Sequence, residues 1–219
     1  MSLIHTVVAI DGPAASGKSS VARQLASRLG FVYVNTGAMY RAVTWCALAQ
    51  PEPAFDPDAL LALVNGTRFE CSLVDGVESF LVNGTDPGES LNSAAVNARV
   101  SDVASVAAIR QFLVGLQREF GARHNVVMEG RDIGSVVFPE SPYKFYIDAS
   151  PEVREMRRRR QGYADRVAER DRQDSSRTAS PLQIPAGADV IDSSDLTVEG
   201  TVDVLLERLA KRGILPPSV

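Results

Sequence analysis

Residues 6–30 read Thr-Val-Val-Ala-Ile-Asp-Gly-Pro-Ala-Ala-Ser-Gly-Lys-Ser-Ser-Val-Ala-Arg-Gln-Leu-Ala-Ser-Arg-Leu-Gly. The β-branched apolar run 6–10 predicts a short buried strand, and Val21, Ala22, Leu25, Ala26 and Leu29 fall at helical spacing before Gly30 closes the pattern. Between them, Gly12 to Ser19 matches G-x-x-x-x-G-K-[ST]. A strand before this motif and a helix after it is the setting of a phosphate-binding loop. The glycines let backbone N–H groups converge on phosphate oxygens, Lys18 can bridge a β- and a γ-phosphate, and the Ser19 hydroxyl can ligate Mg²⁺.

Working outward, the alternation of strand and helix continues. Residues 31–34 predict a second strand, and after Asn35-Thr36-Gly37 a helix carries Met39, Ala42, Val43, Cys46 and Ala47 on one face. Residues 125–129, 144–147 and 189–191 predict three more strands, and a last helix shows Val198, Val202, Leu205, Leu206 and Leu209. Five strands separated by helical segments imply an α/β, three-layer fold around a five-stranded, mainly parallel sheet. One stretch breaks the rhythm. Phe69, Cys71 and Leu73 alternate with polar neighbours, Asp75-Gly76 turns the chain, and residues 77–82 return to Asn83-Gly84, which is a hairpin signature. It lies between the second strand-helix pair and a helical stretch over 94–120, as a small antiparallel insertion.

Composition narrows the function classes. The chain has 219 residues, 45% apolar and 23% charged, a length suited to one compact domain with a small subdomain. No apolar run approaches the roughly 18 residues of a membrane span, and residues 1–5 lack the features of a secretory signal. A cytoplasmic location and no membrane partner are expected. Cys46 and Cys71 are too few for a disulfide framework, and His5 and His124 have no companion at metal-ligand spacing. The net charge is -4, yet nine of the 20 arginines lie between Arg154 and Arg177. An acidic chain with one arginine-rich segment suits a small polyanion better than nucleic acid, so no nucleic-acid partner is expected.

A phosphate loop alone does not separate a switch GTPase, an ATPase motor and a small-molecule kinase. The absence of N-K-x-D argues against a guanine reader. Arg41, one helical turn beyond Gly37, is placed to meet an anion that Thr36 also contacts. Glu129-Gly130-Arg131-Asp132-Ile133-Gly134 closes a predicted strand, at the end where open α/β sheets bind ligands.

Taken together, these motifs resemble bacterial cytidylate (CMP) kinases, within the nucleoside monophosphate kinases. The resemblance covers nearly the whole chain. It rests on Ile10 to Ser19, Thr36 to Arg41 (T-G-A-M-Y-R), Glu129 to Gly134, Val137 to Pro139 (V-F-P), Phe145 to Ser150 (F-Y-I-D-A-S) and the R-D-x-x-D-x-x-R pattern from Arg170 to Arg177.

The resemblance implies a single kinase domain with a core of 1–35, 110–149 and 178–219, an acceptor-binding subdomain of about 36–109 and a lid of about 150–177. Gly12, Pro13, Ala14, Ala15, Ser16, Gly17, Lys18, Ser19 and Ser20 would hold ATP, with Ser19 on Mg²⁺. Thr36, Arg41 and Arg131 would hold the acceptor phosphate. Ser101, Arg110 and Asp132 match positions around the pyrimidine, and Arg170, Asp174 and Arg177 match positions near the ribose. Lys18, Arg131, Asp132, Arg154 and Arg158 form the expected catalytic set. Of the lid arginines, Arg154 and Arg158 are favoured because they share a helix face. The implied reaction is ATP plus CMP or dCMP to ADP plus the diphosphate, catalysed by a monomer. The same scaffold could serve another small acceptor, such as UMP or a non-nucleotide alcohol. Glu129 stands where aspartate is more usual, and on the sequence alone it has no part in the transfer.

Overall fold

The computed structural model describes residues 5–74, 77–160, 167–177 and 180–217, with backbone alone at 74, 77 and 167–170. The Asp75-Gly76 turn, Arg166 and the Arg170 side chain therefore lie outside the described residues, as do residues 1–4. The chain divides into two compact units, one of 1–34 with 121–219 and one of 35–120.

The larger unit is built on β1 (Val7–Asp11), β2 (Val32–Asn35), β5 (Val126–Gly130), β6 (Tyr143–Asp148) and β7 (Asp189–Asp192). They form a five-stranded sheet in the order β2-β5-β1-β6-β7. The parallel register pairs Asp11 with Gly130 on one side and with Tyr146 on the other, so the C-terminal ends of the central strands line up at one edge. Every residue of β1 and β5 is buried, the pattern of strands covered on both faces.

Helices α1 (Lys18–Leu29) and α8 (Val198–Ala210) pack against each other and close one core. Val8, Ile10, Leu25, Phe145, Ile147, Val202, Leu205 and Leu209 are completely buried there, each contributing about 1.5–3 kcal/mol in removing apolar surface from water. Thr197 caps α8 by accepting from Gly200 N–H. Between β5 and β6 the chain makes only a π-helical turn, Ile133–Val137, so this crossover lacks the long helix that the strand-helix alternation predicts. Helices α6 (Pro151–Arg160) and α7 (Val167–Ser175) carry the arginine-rich segment and contact each other.

The smaller unit contains α2 (Thr36–Leu48), α3 (Pro57–Gly66), the hairpin strands β3 (Phe69–Val74) and β4 (Val77–Val82), a 3-10 turn at Gly88–Asn92, α4 (Ala94–Ser105) and α5 (Ala107–Gly121), whose residues to Phe120 belong to it. The hairpin is antiparallel, with Cys71 opposite Phe80. Phe69 and Phe80 stack at 5.7 Å, and Phe112 meets Phe69 edge-on at 5.9 Å, which anchors the hairpin to α5. Asn83 and Gly84, at φ of 51° and 79°, fold Val82 back onto Thr85 in a two-residue turn that needs positive φ at both positions. The stretch 94–120 is not one helix. The chain leaves helical geometry at Val106, which has ψ of 114°. Helix α3 has no counterpart among the expected elements, although Asp56 as N-cap with Pro57 behind it is a helix start. The single tryptophan, Trp45, lies half-buried on α2.

Candidate active site

The loop joining β1 to α1 is held by backbone geometry that few side chains tolerate. A Cβ on Gly12 would stand 2.1 Å from the Ile147 carbonyl oxygen, so the loop can cross β6 only with glycine there. Ala15 and Gly17 take φ of 59° and 90°, turning the chain so that successive N–H groups face one side. Gly17 is the N-cap of α1 and offers no side-chain acceptor, and the first turn of α1 carries no acid. By contrast, Asn35, Asp56, Ser93 and Thr197 each cap their own helices. The amides at the start of α1 thus form a helix N-terminus suited to an external anion.

Side chains complete this end of the sheet. Lys18 is 7% exposed; its Nζ donates to the Pro13 carbonyl at 3.1 Å and stands 3.9 Å from Glu129 Oε2. Ser19 Oγ donates to Glu129 Oε1 at 2.8 Å, and the Tyr33 hydroxyl approaches the same oxygen at 3.5 Å. Glu129 is therefore in the machinery around the loop, contrary to the expectation that it stands apart. The pairing of Ile10 with Glu129 across β1 and β5 puts it there. Ser20 is exposed at the third position of α1.

Beyond β5, Asp132 is 5% exposed, and Arg131 donates from Nε to Asp174 at 2.7 Å. Burial works against the charged form of Arg131, yet Asp174, Glu129 and Asp171 together hold its pKa above the ordinary value. Asp11, completely buried at the end of β1, accepts from Ile133 N–H and Gly134 N–H at 2.7 Å each. Burial pushes its carboxyl up to about 7 against those two hydrogen bonds, with Asp132 adding to the rise.

The lid segment is folded onto the loop. Asp171 on α7 accepts from Ala14 N–H at 3.2 Å and pairs with Arg154, whose NH1 also reaches the Ala14 carbonyl at 3.4 Å. Arg157 donates to the Ser16 carbonyl at 3.1 Å and to Ser193 Oγ and O at 3.0 and 2.7 Å. Arg158 is buried at 7% exposure. The i, i+4 spacing that favours Arg154 with Arg158 does not single out Arg157, which is the second lid arginine on a loop carbonyl. Asp174, 4% exposed, is shared by Arg131 and Arg177.

In the smaller unit, Thr36 opens α2 and is 3% exposed. A Cβ on Gly37 would stand 3.4 Å from Arg41 NH1, so the missing side chain gives the guanidinium room beside the helix start. Ser101 is half-buried on α4. Arg110, 3% exposed, lies over the Tyr40 ring at 5.3 Å and donates to the Ala104 carbonyl at 3.0 Å.

The donors present fit a magnesium nucleotide. Among the described residues no group of three or more His, Cys, Asp or Glu could enclose a metal. A serine hydroxyl beside a carboxylate and an open helix start matches instead a small hard cation held chiefly by phosphate oxygens and water. No described helix is long and apolar enough to cross a membrane.

The model of the family described as cytidylate kinase matches residues 8–211. A cytidylate kinase of Pelotomaculum thermopropionicum is 43% identical over 216 residues, covering 93% of this chain and 95% of its own. One of Clostridium botulinum strain Langeland is 39% identical over 212 residues, covering 92% and 96%. Among solved structures, a gluconokinase of Sinorhizobium meliloti aligns with a TM-score of 0.50 at 16% identity, covering 97% of this chain and 95% of that one, a likeness of fold alone. A loop built for phosphate at the edge of a parallel sheet and a family match along nearly all of the sequence lead to one assignment: the chain belongs to the cytidylate kinase family.

Proposed function

We propose that the enzyme transfers the γ-phosphoryl group of ATP to CMP and dCMP, giving ADP and the cytidine diphosphates. The observation that carries this reading is the start of α1, where converging amides have no side-chain cap and Lys18 lies beside them. Relatives that bear the name cytidylate kinase supply the acceptor.

An ionised CMP phosphate is already a nucleophile, so the protein's tasks are alignment and charge compensation. Residues 12–20 hold the triphosphate, and Lys18, Arg154 and Arg158 offset the charge of the migrating group, joined by Arg157. Ser19, oriented by Glu129, would hold Mg²⁺, which would supply charge neutralisation to the nucleotide phosphates. Thr36, Arg41 and Arg131 hold the acceptor phosphate. Asp132 accepts from the cytosine N4 amino group, and Arg110 donates to N3 and O2, with Ser101 alongside. Arg170, Asp174 and Arg177 meet the ribose. Folding of the lid over the loop excludes water that would otherwise take the phosphoryl group. The enzyme works as a cytoplasmic monomer, in keeping with its two free thiols.

The test is ADP release with Mg-ATP and, separately, CMP, dCMP, UMP, AMP, GMP and shikimate. Turnover confined to CMP and dCMP is expected. Uracil presents O4, an acceptor, to Asp132, so UMP falls behind by at least about 10²-fold in kcat/KM. Equal kcat/KM for CMP and UMP removes Asp132 from base recognition.

A further inference from the structure

Two peptides of the phosphate loop are gripped by their carbonyls from outside it. Ala15 and Gly17 take φ of 59° and 90°, and the carbonyl before each has a partner beyond the loop. Arg154 NH1 reaches the Ala14 oxygen at 3.4 Å, and Arg157 NH1 donates to the Ser16 oxygen at 3.1 Å. A trans peptide is planar, with its C=O and N–H on opposite sides. Holding the Ser16 oxygen outward therefore turns Gly17 N–H toward the hollow that suits an anion. The Ser16 oxygen has a second partner outside the arginine-rich segment. Ser193, 3% exposed in the connection from β7 to α8, donates from Oγ to it at 2.9 Å.

The same hydroxyl lies 2.9 Å from the Asp148 carbonyl and accepts from Arg157 NH1 at 3.0 Å. Its single proton thus has two carbonyls in reach. Asp148 O already receives Ser193 N–H at 2.8 Å, so the tie between the ends of β6 and β7 does not need the hydroxyl. The Ser193 carbonyl accepts from Arg157 NH2 at 2.7 Å, a bond that any residue at this position can keep. What the side chain alone supplies is its hold on the loop.

We infer that Ser193 is a positioning residue for the nucleotide phosphates: together with Arg157 it fixes the Ser16-Gly17 peptide with the carbonyl outward and the N–H inward. The inference rests on the proposed role of residues 12–20 in holding ATP. Arg157 belongs to the lid helix α6, whereas Ser193 lies outside the lid, so its hold does not depend on where the lid stands.

The experiment compares wild type, Ser193→Ala, Arg157→Met and the double variant, each with a measured Tm. It reads Kd for Mg-ADP by calorimetry, KM for CMP, and the amide proton shifts of Ala15 and Gly17 at saturating Mg-ADP. Ser193→Ala weakens Mg-ADP roughly 3- to 10-fold and leaves KM for CMP within about twofold. The downfield shift that Mg-ADP induces at Gly17 N–H shrinks, while Ala15, whose preceding carbonyl is on Arg154, keeps its own. A merely structural loss lowers Tm without choosing between these two amides. The double variant loses more than the product of the single losses, because either bond alone still holds the Ser16 carbonyl. An unchanged Kd in Ser193→Ala, an unchanged Gly17 shift, or losses that simply multiply overturns the inference. A wild type that does not bind Mg-ADP overturns the reading of the loop, and this inference with it. A wild type that binds Mg-ADP but does not phosphorylate CMP overturns the proposed acceptor and leaves Ser193 to be decided by the variants.

Discussion

At the end of β1, Asp11 gives up water and receives two backbone N–H groups, so both of its oxygens are used. In the hairpin of the smaller unit, Glu78 gives up water and receives one, from Asn35, while its Oε1 has no partner among the described residues. Burial raises both carboxyls to about 7, yet the two sites differ in what the proton does. Asp11 is tied into a turn next to the expected recognition residue, and its full hydrogen bonding offsets the loss of water. Glu78 is half-satisfied, and burying the unpaired oxygen costs about 1–3 kcal/mol. The same displaced titration therefore marks a structural pin in one unit and a source of strain in the other.

That contrast can be broken in four ways. The largest effect is expected for Lys18→Ala. It should lower kcat by about 10² or more, with the far-UV circular dichroism unchanged, because the lysine adds charge at the loop but holds up no core. Wild-type turnover in this variant ends the division of labour between the units. Next comes Arg110→Met in the smaller unit. It should reduce kcat/KM for CMP about 10- to 100-fold, chiefly through KM for CMP, with KM for ATP unmoved. A loss confined to kcat would mean that the helical unit takes part in transfer rather than in recognition.

Asp171→Asn tests the lid. Its carboxylate stands on the Ala14 amide and on Arg154, both candidate phosphate partners. Removing the charge should tighten ATP binding roughly 2- to 10-fold in a calorimetric titration, the worth of about one competing hydrogen bond. Weaker binding would show that the acid helps to shape the loop.

The smallest effect is expected for Glu78→Gln, read as Tm against pH. The folded chain holds the Glu78 proton up to about 7, above the ordinary 4.5, so this group's stabilisation is full below 4.5 and is lost as pH rises through about 7. The variant should melt a few degrees above wild type beyond that pH, with the gap closing toward 4.5. Asp11 keeps its own share of the slope. A gap that widens toward acid reverses the sign and removes the argument from burial.

The loop, the five strands and the hairpin are all legible in the sequence, because each is written in consecutive residues: a motif between two periodicities, or alternation between turn signals. Glu129 is not, since its contact with Ser19 depends on β5 lying beside β1, an adjacency that crosses about 120 residues of chain. Asp11 escapes for the same reason, as its partners follow β5. Among the lid arginines, spacing alone cannot choose between Arg157 and Arg158, which lie 100° apart on one helix. Helix α3 is a different failure. Its start signal, Asp56-Pro57, is plain, but only Leu60 and Val64 are buried, too few to stand out as a periodic face.

Trp45 on α2 is the only tryptophan in the chain. Indole emission is consequently a spectroscopic label that the protein already carries in its smaller unit, while the parallel sheet is dark in that channel. Denaturation followed by this emission and by circular dichroism, which sees both units, should superimpose if they unfold as one and separate if they do not. No dye or engineered reporter is required.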